Sequence, residues 1–269
     1  MAIRAAVAGA TGWAGAAIMR AVLDTPDFVL SGAVARSAAG VDAAEAVGRV
    51  SVGIRIAGTV EEALGSPTDV LIDYTHPTAV MRHIETALMT GVSVVVGTSG
   101  LGADDYAKVD ALAKHAGRGV VAAGNFSLTA ALAKHFALLA ARHIPSWELV
   151  EYGSHDKVDA PSGTVRELAE ALGAVGTPEE GVPTEETIGI PGTRGEAVSG
   201  TRVHAVRLPG YVLSFEAHFG LPAERLVIRH EAGDSPLPYV AGTLLAARRA
   251  VHTVGLVRGL DRLLFDDPV

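Results

Sequence analysis

Three features of the 269-residue sequence predict an α/β fold, a doubly wound parallel sheet followed by a second, α+β domain. A run of small and β-branched residues, 3–8, enters the turn Gly9-Ala10-Thr11-Gly12, and residues 13–23 then have helical composition. Short apolar runs alternate with helical stretches through the first half, the rhythm of parallel strands joined by crossover helices. Beyond about residue 127 the runs lengthen and are joined by Pro/Gly turns, which predicts a mixed or antiparallel sheet.

Asp24-Thr25-Pro26-Asp27 breaks the first helix and residues 28–34 are again strand-like, so the chain opens with a βαβ unit. Further strands are expected at 69–74, 92–97 and 119–123, with helices at 78–90 and 104–116 between them. A helix at 128–142 runs to Pro145. The second domain then reads as a strand at 147–152, a helix at 165–172, a Gly/Pro/Glu-rich loop at 173–200, and strands at 202–207, 211–218 and 225–231. Leu208-Pro209-Gly210 and Leu221-Pro222-Ala223-Glu224 read as hairpin turns. Residues 239–254 form an Ala-rich helix suited to covering a sheet.

Composition removes several chemistries. Without cysteine there is no thiol nucleophile, thiolate zinc site, iron–sulfur cluster or disulfide. A net charge of -8 with scattered basic residues leaves no footprint for nucleic acid. The apolar runs are far shorter than the ~20 residues of a spanning helix, which argues against a membrane protein. Gly9, Gly12 and Gly15 interrupt the stretch where a signal peptide would be continuously apolar, so a cytoplasmic location is expected. His76, His83, His115, His135 and His143 stand singly without metal-ligand spacing, so no metal is expected. No Tyr has Lys four residues on, which disfavours a short-chain dehydrogenase.

Gly9-Ala10-Thr11-Gly12-Trp13-Ala14-Gly15 fits G-x-x-G-x-x-G between a strand and a helix, a Rossmann-type dinucleotide signature. The first glycine allows the tight turn, the second admits a pyrophosphate to the backbone, and the third packs helix on strand; the helix N-terminus offers N–H groups to phosphate. Where an NAD-preferring site would carry a carboxylate, after the second strand, the sequence has Arg36 and Ser37. A guanidinium and a hydroxyl suit a 2′-phosphate, so NADPH is the expected cofactor, with NADH possible. Gly97-Thr98-Ser99 and Ala123-Gly124-Asn125-Phe126 follow later strands, where open α/β sheets bind ligands, and are expected at the nicotinamide end.

The segment from Glu151 to Thr164 is the most informative. Ser162 and Gly163 follow Pro161, and Thr164 with Glu167 fits a capping box, so a helix N-terminus able to hold a carboxylate is expected there. Lys157, just upstream, can bind an acidic substrate or donate a proton.

Gly9-Ala10-Thr11-Gly12, Ile72-Asp73-Tyr74-Thr75-His76-Pro77, Gly97-Thr98-Ser99-Gly100, Asn125-Phe126-Ser127 and above all Lys157-Val158-Asp159-Ala160-Pro161-Ser162-Gly163-Thr164 resemble the dihydrodipicolinate (4-hydroxy-tetrahydrodipicolinate) reductase family, in order and across nearly the whole chain. The resemblance implies a dinucleotide-binding domain at 1–126 completed by 239–269, a substrate-binding and oligomerisation domain at 127–238, and a homotetramer. It implies hydride transfer from NAD(P)H to a cyclic imine dicarboxylate of lysine and diaminopimelate biosynthesis. Lys157 then looks like the proton donor, Gly163 and Thr164 the carboxylate cradle, and Ser154 and Ser162 further substrate contacts.

Two departures stand out. Gly153 and Ser154 occupy the positions of the family's paired histidines, and Ala232-Gly233-Asp234-Ser235-Pro236 lacks its Ser-Arg pair. His155 is the available catalytic substitute, on the same face of an extended chain but roughly 6 to 7 Å along it. These departures keep open a related imine reductase or amine dehydrogenase with another substrate, and a non-catalytic NADP-binding regulator.

Overall fold

The computed structural model describes residues 2–265; Met1 and residues 266–269, the two ends of the expected first domain, lie outside the described residues. Its strands are β1 (Ile3–Ala8), β2 (Phe28–Val34), β3 (Val70–Asp73), β4 (Ser93–Val96), β5 (Gly119–Ala122), β6 (Ser146–Gly153), β7 (Glu196–Val198), β8 (Thr201–Arg207), β9 (Leu213–Leu221), β10 (Glu224–Ala232) and β11 (Gly255–Arg258). Its helices are α1 (Trp13–Asp24), α2 (Val60–Ala63), α3 (Pro77–Met89), α4 (Ala103–Ala116), α5 (Leu128–Ala141), α6 (Gly163–Val175), α7 (Pro238–Ala250) and α8 (Asp261–Leu264). The chain divides into two compact units, one up to Leu128 and again from Pro236, the other Thr129–Ser235.

The first unit is a Rossmann-type sheet of six parallel strands in the order β2-β1-β3-β4-β5-β11. β3, β4 and β5 are buried along their whole length, as strands covered on both faces must be. Val80, Ile84 and Leu88 of α3, with Val109 and Ala113 of α4, pack on Leu71, Val94 and Val120 on one face. On the other face α7 packs against α1 and against β3 to β5. The small residues of α7 have a steric reason: a Cβ on Gly242 would lie 2.0 Å from the Phe126 carbonyl oxygen. The strand order reverses between β1 and β3, the switch point at which such sheets open a crevice for ligands.

The second unit is a mixed sheet in the order β10-β9-β6-β8-β7. Alternate residues of β6 are buried, and Trp147 and Leu149 join Phe215, Ala217 and Phe219 of β9 against Leu138 of α5 and Leu168 and Leu172 of α6. The turn at 221–224 closes the antiparallel hairpin β9–β10. The turn at 208–210 closes none: β8 and β9 both pair with β6, which lies between them, β8 in parallel and β9 antiparallel. A Pro/Gly turn reverses the chain equally well for adjacent strands or across a central one, so the sequence did not distinguish them. β7 and β11 also escape sequence reading, because one has three residues and the other four at a sheet edge. α7 ends at Ala250, short of the expected 254.

Candidate functional site

Gly9 follows β1 with φ +80°, and a Cβ there would lie 2.1 Å from the Tyr74 carbonyl oxygen in the turn after β3. A Cβ on Gly15 would lie 1.9 Å from the Gly9 carbonyl oxygen. These two glycines therefore let the turns after β1 and β3 meet and seat α1 close to β1. α1 begins after Gly12 with no side-chain cap and no acid in its first turn, which leaves its positive end open to an anion.

That end faces a cleft of about 930 Å³ lined by Gly9, Thr11 and Gly12 and, from the turn after β2, by exposed Arg36 and Ser37. The turn after β2 thus brings a guanidinium and a hydroxyl, and no carboxylate, to the cleft wall. The bare helix end, the side-chain-free glycine turn and this pair fit the phosphates of a dinucleotide. Sequence reading missed the opposite wall, formed by Thr75, His76, Thr78, Arg82 and His83 at the end of β3 and along α3. Thr75 and His76 belong to the Ile72-to-Pro77 stretch, which marked the family without suggesting a contact for each residue, whereas Thr78, Arg82 and His83 carried no such signal. His76 caps α3 through Nδ1, which accepts the Thr78 N–H at 3.3 Å.

The other residues expected at the cofactor lie outside this cleft. Ala10 is fully buried, its N–H bonded to the Val34 carbonyl at 3.0 Å. Trp13 is exposed and meets Tyr239 edge-on at 5.9 Å, with Ala14 half-buried beside it. The turns Gly97-Thr98-Ser99 and Ala123-Gly124-Asn125-Phe126 sit at the carboxyl ends of β4 and β5. Gly97 has a reason within the protein, since a Cβ would lie 2.2 Å from the Tyr74 ring. Asn125 Oδ1 accepts the Ser127 N–H at 2.8 Å, and the buried Phe126 ring meets Tyr74 edge-on.

In the second unit, β6 ends at Gly153 and delivers the loop that carries Lys157. Glu151, 1% exposed, anchors it: one carboxylate oxygen takes the Arg207 guanidinium, the other accepts the Ser162 N–H at 2.8 Å. The same Arg207 nitrogen donates to the Asp159 carbonyl at 2.6 Å, and its Nε is buried without a partner. Lys157 Nζ lies 2.6 Å from the Asp159 carboxylate and is partly exposed. α6 starts at Gly163 and its cap is Ser162, whose Oγ accepts the Val165 N–H at 3.3 Å, rather than Thr164. The Ser162 N–H is committed to Glu151, so of the expected cradle the N–H groups of Gly163 and Thr164 lie nearest the helix end.

Strand geometry does not apply to His155, because the chain leaves β6 at Gly153 and turns at 155–156, which puts the imidazole on the surface. Ser154 Oγ donates to the Asp156 carboxylate, which holds that acid below its ordinary 3.8. A Cβ on Gly153 would lie 3.1 Å from Arg207 Nη1 and 3.2 Å from Lys157 Cδ. The side chain missing at Gly153 is thus replaced by a close approach of Arg207 and Lys157.

Among the described residues no group of three His, Asp or Glu side chains is placed to hold a metal ion, and no helix is long and apolar enough to cross a membrane. Residues 3–126 match the family model for the N-terminus of dihydrodipicolinate reductase, and residues 126–264 that for its C-terminus. The 4-hydroxy-tetrahydrodipicolinate reductases of Desulfitobacterium hafniense and Moorella thermoacetica are each 37% identical, over 97% of this chain and 98% of theirs. A solved dipicolinate-bound dihydrodipicolinate reductase from Paenisporosarcina sp. TG-14 superposes with a TM-score of 0.79 at 28% identity, over 97% of this chain and 99% of that one. The glycine turn and cleft of the first unit and the Lys157 loop of the second are therefore parts of one known scaffold, and the chain belongs to the dihydrodipicolinate reductase family of NAD(P)H-dependent oxidoreductases.

Proposed function

We propose that this protein reduces the conjugated ring formed from 4-hydroxy-tetrahydrodipicolinate by loss of its hydroxyl as water, giving tetrahydrodipicolinate, and that it prefers NADPH. The observation that carries the substrate reading is the anchored loop from Lys157 to Thr164, which sets an ammonium and a helix N-terminus within one short segment. Gly163 and Thr164 open the positive end of α6, where backbone N–H groups suit a substrate carboxylate. Lys157 holds the proton that the reduced ring takes up, and Asp159 keeps the ammonium in place. Reduced nicotinamide, when bound, supplies the hydride. Gly9, Thr11 and Gly12 with the end of α1 would hold its pyrophosphate, and Arg36 with Ser37 the 2′-phosphate that marks NADPH.

His155 is exposed in a turn after β6, with Asp156 as its charged neighbour, so Lys157 carries the proton in this reading. A second reading, a related cyclic imine as substrate, is favoured by Gly153, where Arg207 and Lys157 approach in place of a histidine. We assign a cytoplasmic location and a homotetramer. The edge strand β10, paired on one side with β9, exposes Leu226 and Val227, an edge of the kind proteins cover by association.

The test couples the purified protein to dihydrodipicolinate synthase supplied with pyruvate and aspartate semialdehyde, and follows NADPH and NADH absorbance separately. Rapid oxidation, faster with NADPH, is expected. Tight NADPH binding without oxidation would overturn the substrate and turn the search to other cyclic imines. Light scattering on the same sample gives the subunit number.

A further inference from the structure

The last residues of the four central strands stand in register: Ala8, Asp73, Val96 and Ala122. Three are apolar, and the fourth is a carboxylate with no exposed surface. A buried charge is costly unless bonded, so the place calls for a reason. Asp73 Oδ2 accepts from Nδ1 of His83 on α3 at 2.7 Å. Oδ1 accepts from Thr75 N at 3.0 Å, Thr75 Oγ1 at 2.7 Å and Thr98 Oγ1 at 2.6 Å. Thr98 Oγ1 accepts in turn from Thr75 N at 2.8 Å. One carboxylate thus ties three pieces of the carboxyl edge of the sheet: the turn after β3, the turn after β4 and the first half of α3. Burial pushes its pKa up, but the bonds from His83, Thr98 and Thr75 outweigh this and keep it ionised.

We infer that Asp73 and His83 are positioning residues that hold the Thr98 turn in place for the nicotinamide end of the cofactor. This rests on the reading of the Gly97-Thr98-Ser99 turn as the nicotinamide side. Thr75 and His83 of this network also line the cleft of Gly9, Gly12 and Arg36, whereas Thr98 does not. Removing the Thr98 hydroxyl therefore bears on the nicotinamide end alone, whereas loss of Asp73 also reaches the phosphate cleft.

The experiment measures binding of two probes, NADPH and adenosine 2′,5′-bisphosphate, which lacks nicotinamide, to the full-length protein. Thr98→Val should weaken NADPH about tenfold and leave the bisphosphate within about twofold, with kcat falling by a similar factor through misplacement of the ring, and Asp73→Asn should weaken NADPH at least as much. Thr98→Ser, which keeps the hydroxyl on Asp73, should restore wild-type values. The double variant Asp73→Asn/Thr98→Val should be no weaker than Asp73→Asn, because the two act through one contact. Should Asp73→Asn not fold, the Thr98 pair decides alone. Equal weakening of both probes in Thr98→Val, or no change in either, overturns the inference. The binding arm needs no substrate, so a wild type that fails to reduce the proposed imine while binding NADPH sinks the substrate assignment and leaves this result readable.

Discussion

Buried Glu151 and half-buried Arg207 form an ion pair at the root of the Lys157 loop, and the remaining carboxylate oxygen of Glu151 holds the Ser162 N–H where α6 begins. Glu151→Ala strands a guanidinium at low exposure and leaves that N–H without its acceptor. Breaking one side of such a pair costs about 3 to 5 kcal/mol, and a loss on that scale is expected in urea unfolding. A loss below about 1 kcal/mol, the level of an exposed pair, would mean that Arg207 finds water in solution.

Gly153 is confined by Arg207 and Lys157, and Arg207 cannot easily withdraw because it also bonds the Val206 and Asp159 carbonyls. Gly153→His, which places the family's residue here, is expected to lower stability by about 1 to 3 kcal/mol through overpacking and to leave turnover no higher. Thermal unfolding and steady-state rates check it together. A variant that is both stable and faster would show that the histidine site persists in this chain and that the guanidinium moves aside.

The parallel sheet was legible because its physics is local. Val94, Val95 and Val96 sit in a strand buried on both faces and read as a continuous apolar run, while Gly9 and Gly15 mark positions where a side chain would collide with backbone. The mixed sheet was half legible: β6, β8, β9 and β10 were read and β7 was not, and which neighbours β6 takes depends on both its edges, which no turn sequence encodes. The site shows the same division. Arg36 stands where spacing from the glycine turn put it, on the cleft wall. Asp73 was legible only as part of a family stretch and His83 only as a lone histidine, because their mutual bond spans 10 residues; Arg207, paired 56 residues away, gave no signal.

Lys157→Ala removes the ammonium without touching the nucleotide cleft of the other unit. A general acid contributes about 10² to 10⁴ in rate, so kcat should fall by that range while NADPH affinity holds. Lys157→Arg keeps charge but yields its proton poorly and should recover substrate affinity more than rate. Turnover at the wild-type level in Lys157→Ala would remove this side chain from the reaction.

Arg36 is exposed and lines the cleft beside Ser37. Arg36→Ala should weaken NADPH by about 1.5 kcal/mol or more, roughly tenfold in Kd, through loss of a charged hydrogen bond to the 2′-phosphate. NADH lacks that phosphate and should bind the variant as it binds the wild type, so fluorescence titration of both nucleotides isolates the contact. A parallel loss for NADH would place Arg36 on the pyrophosphate or the adenine instead.

His230 on β10 is buried, stacks on Phe215 at 5.5 Å, and bonds Thr129 Oγ1 through Nε2 at 3.1 Å, while its Nδ1 has no partner. Burial pushes its pKa below the ordinary 6.5. The sign follows from which state takes the proton: as pH falls below 6.5 the unfolded chain protonates this imidazole before the folded one does, so acid favours unfolding. Wild type should therefore lose its advantage over His230→Phe between pH 7.5 and 5.5, read as a narrowing gap between their urea midpoints. Substituting phenylalanine keeps the stack on Phe215 and removes only the titrating ring and its bond to Thr129. A gap that stays constant across that range would show that the folded protein protonates His230 as readily as the unfolded chain, which requires water or a carboxylate to reach Nδ1.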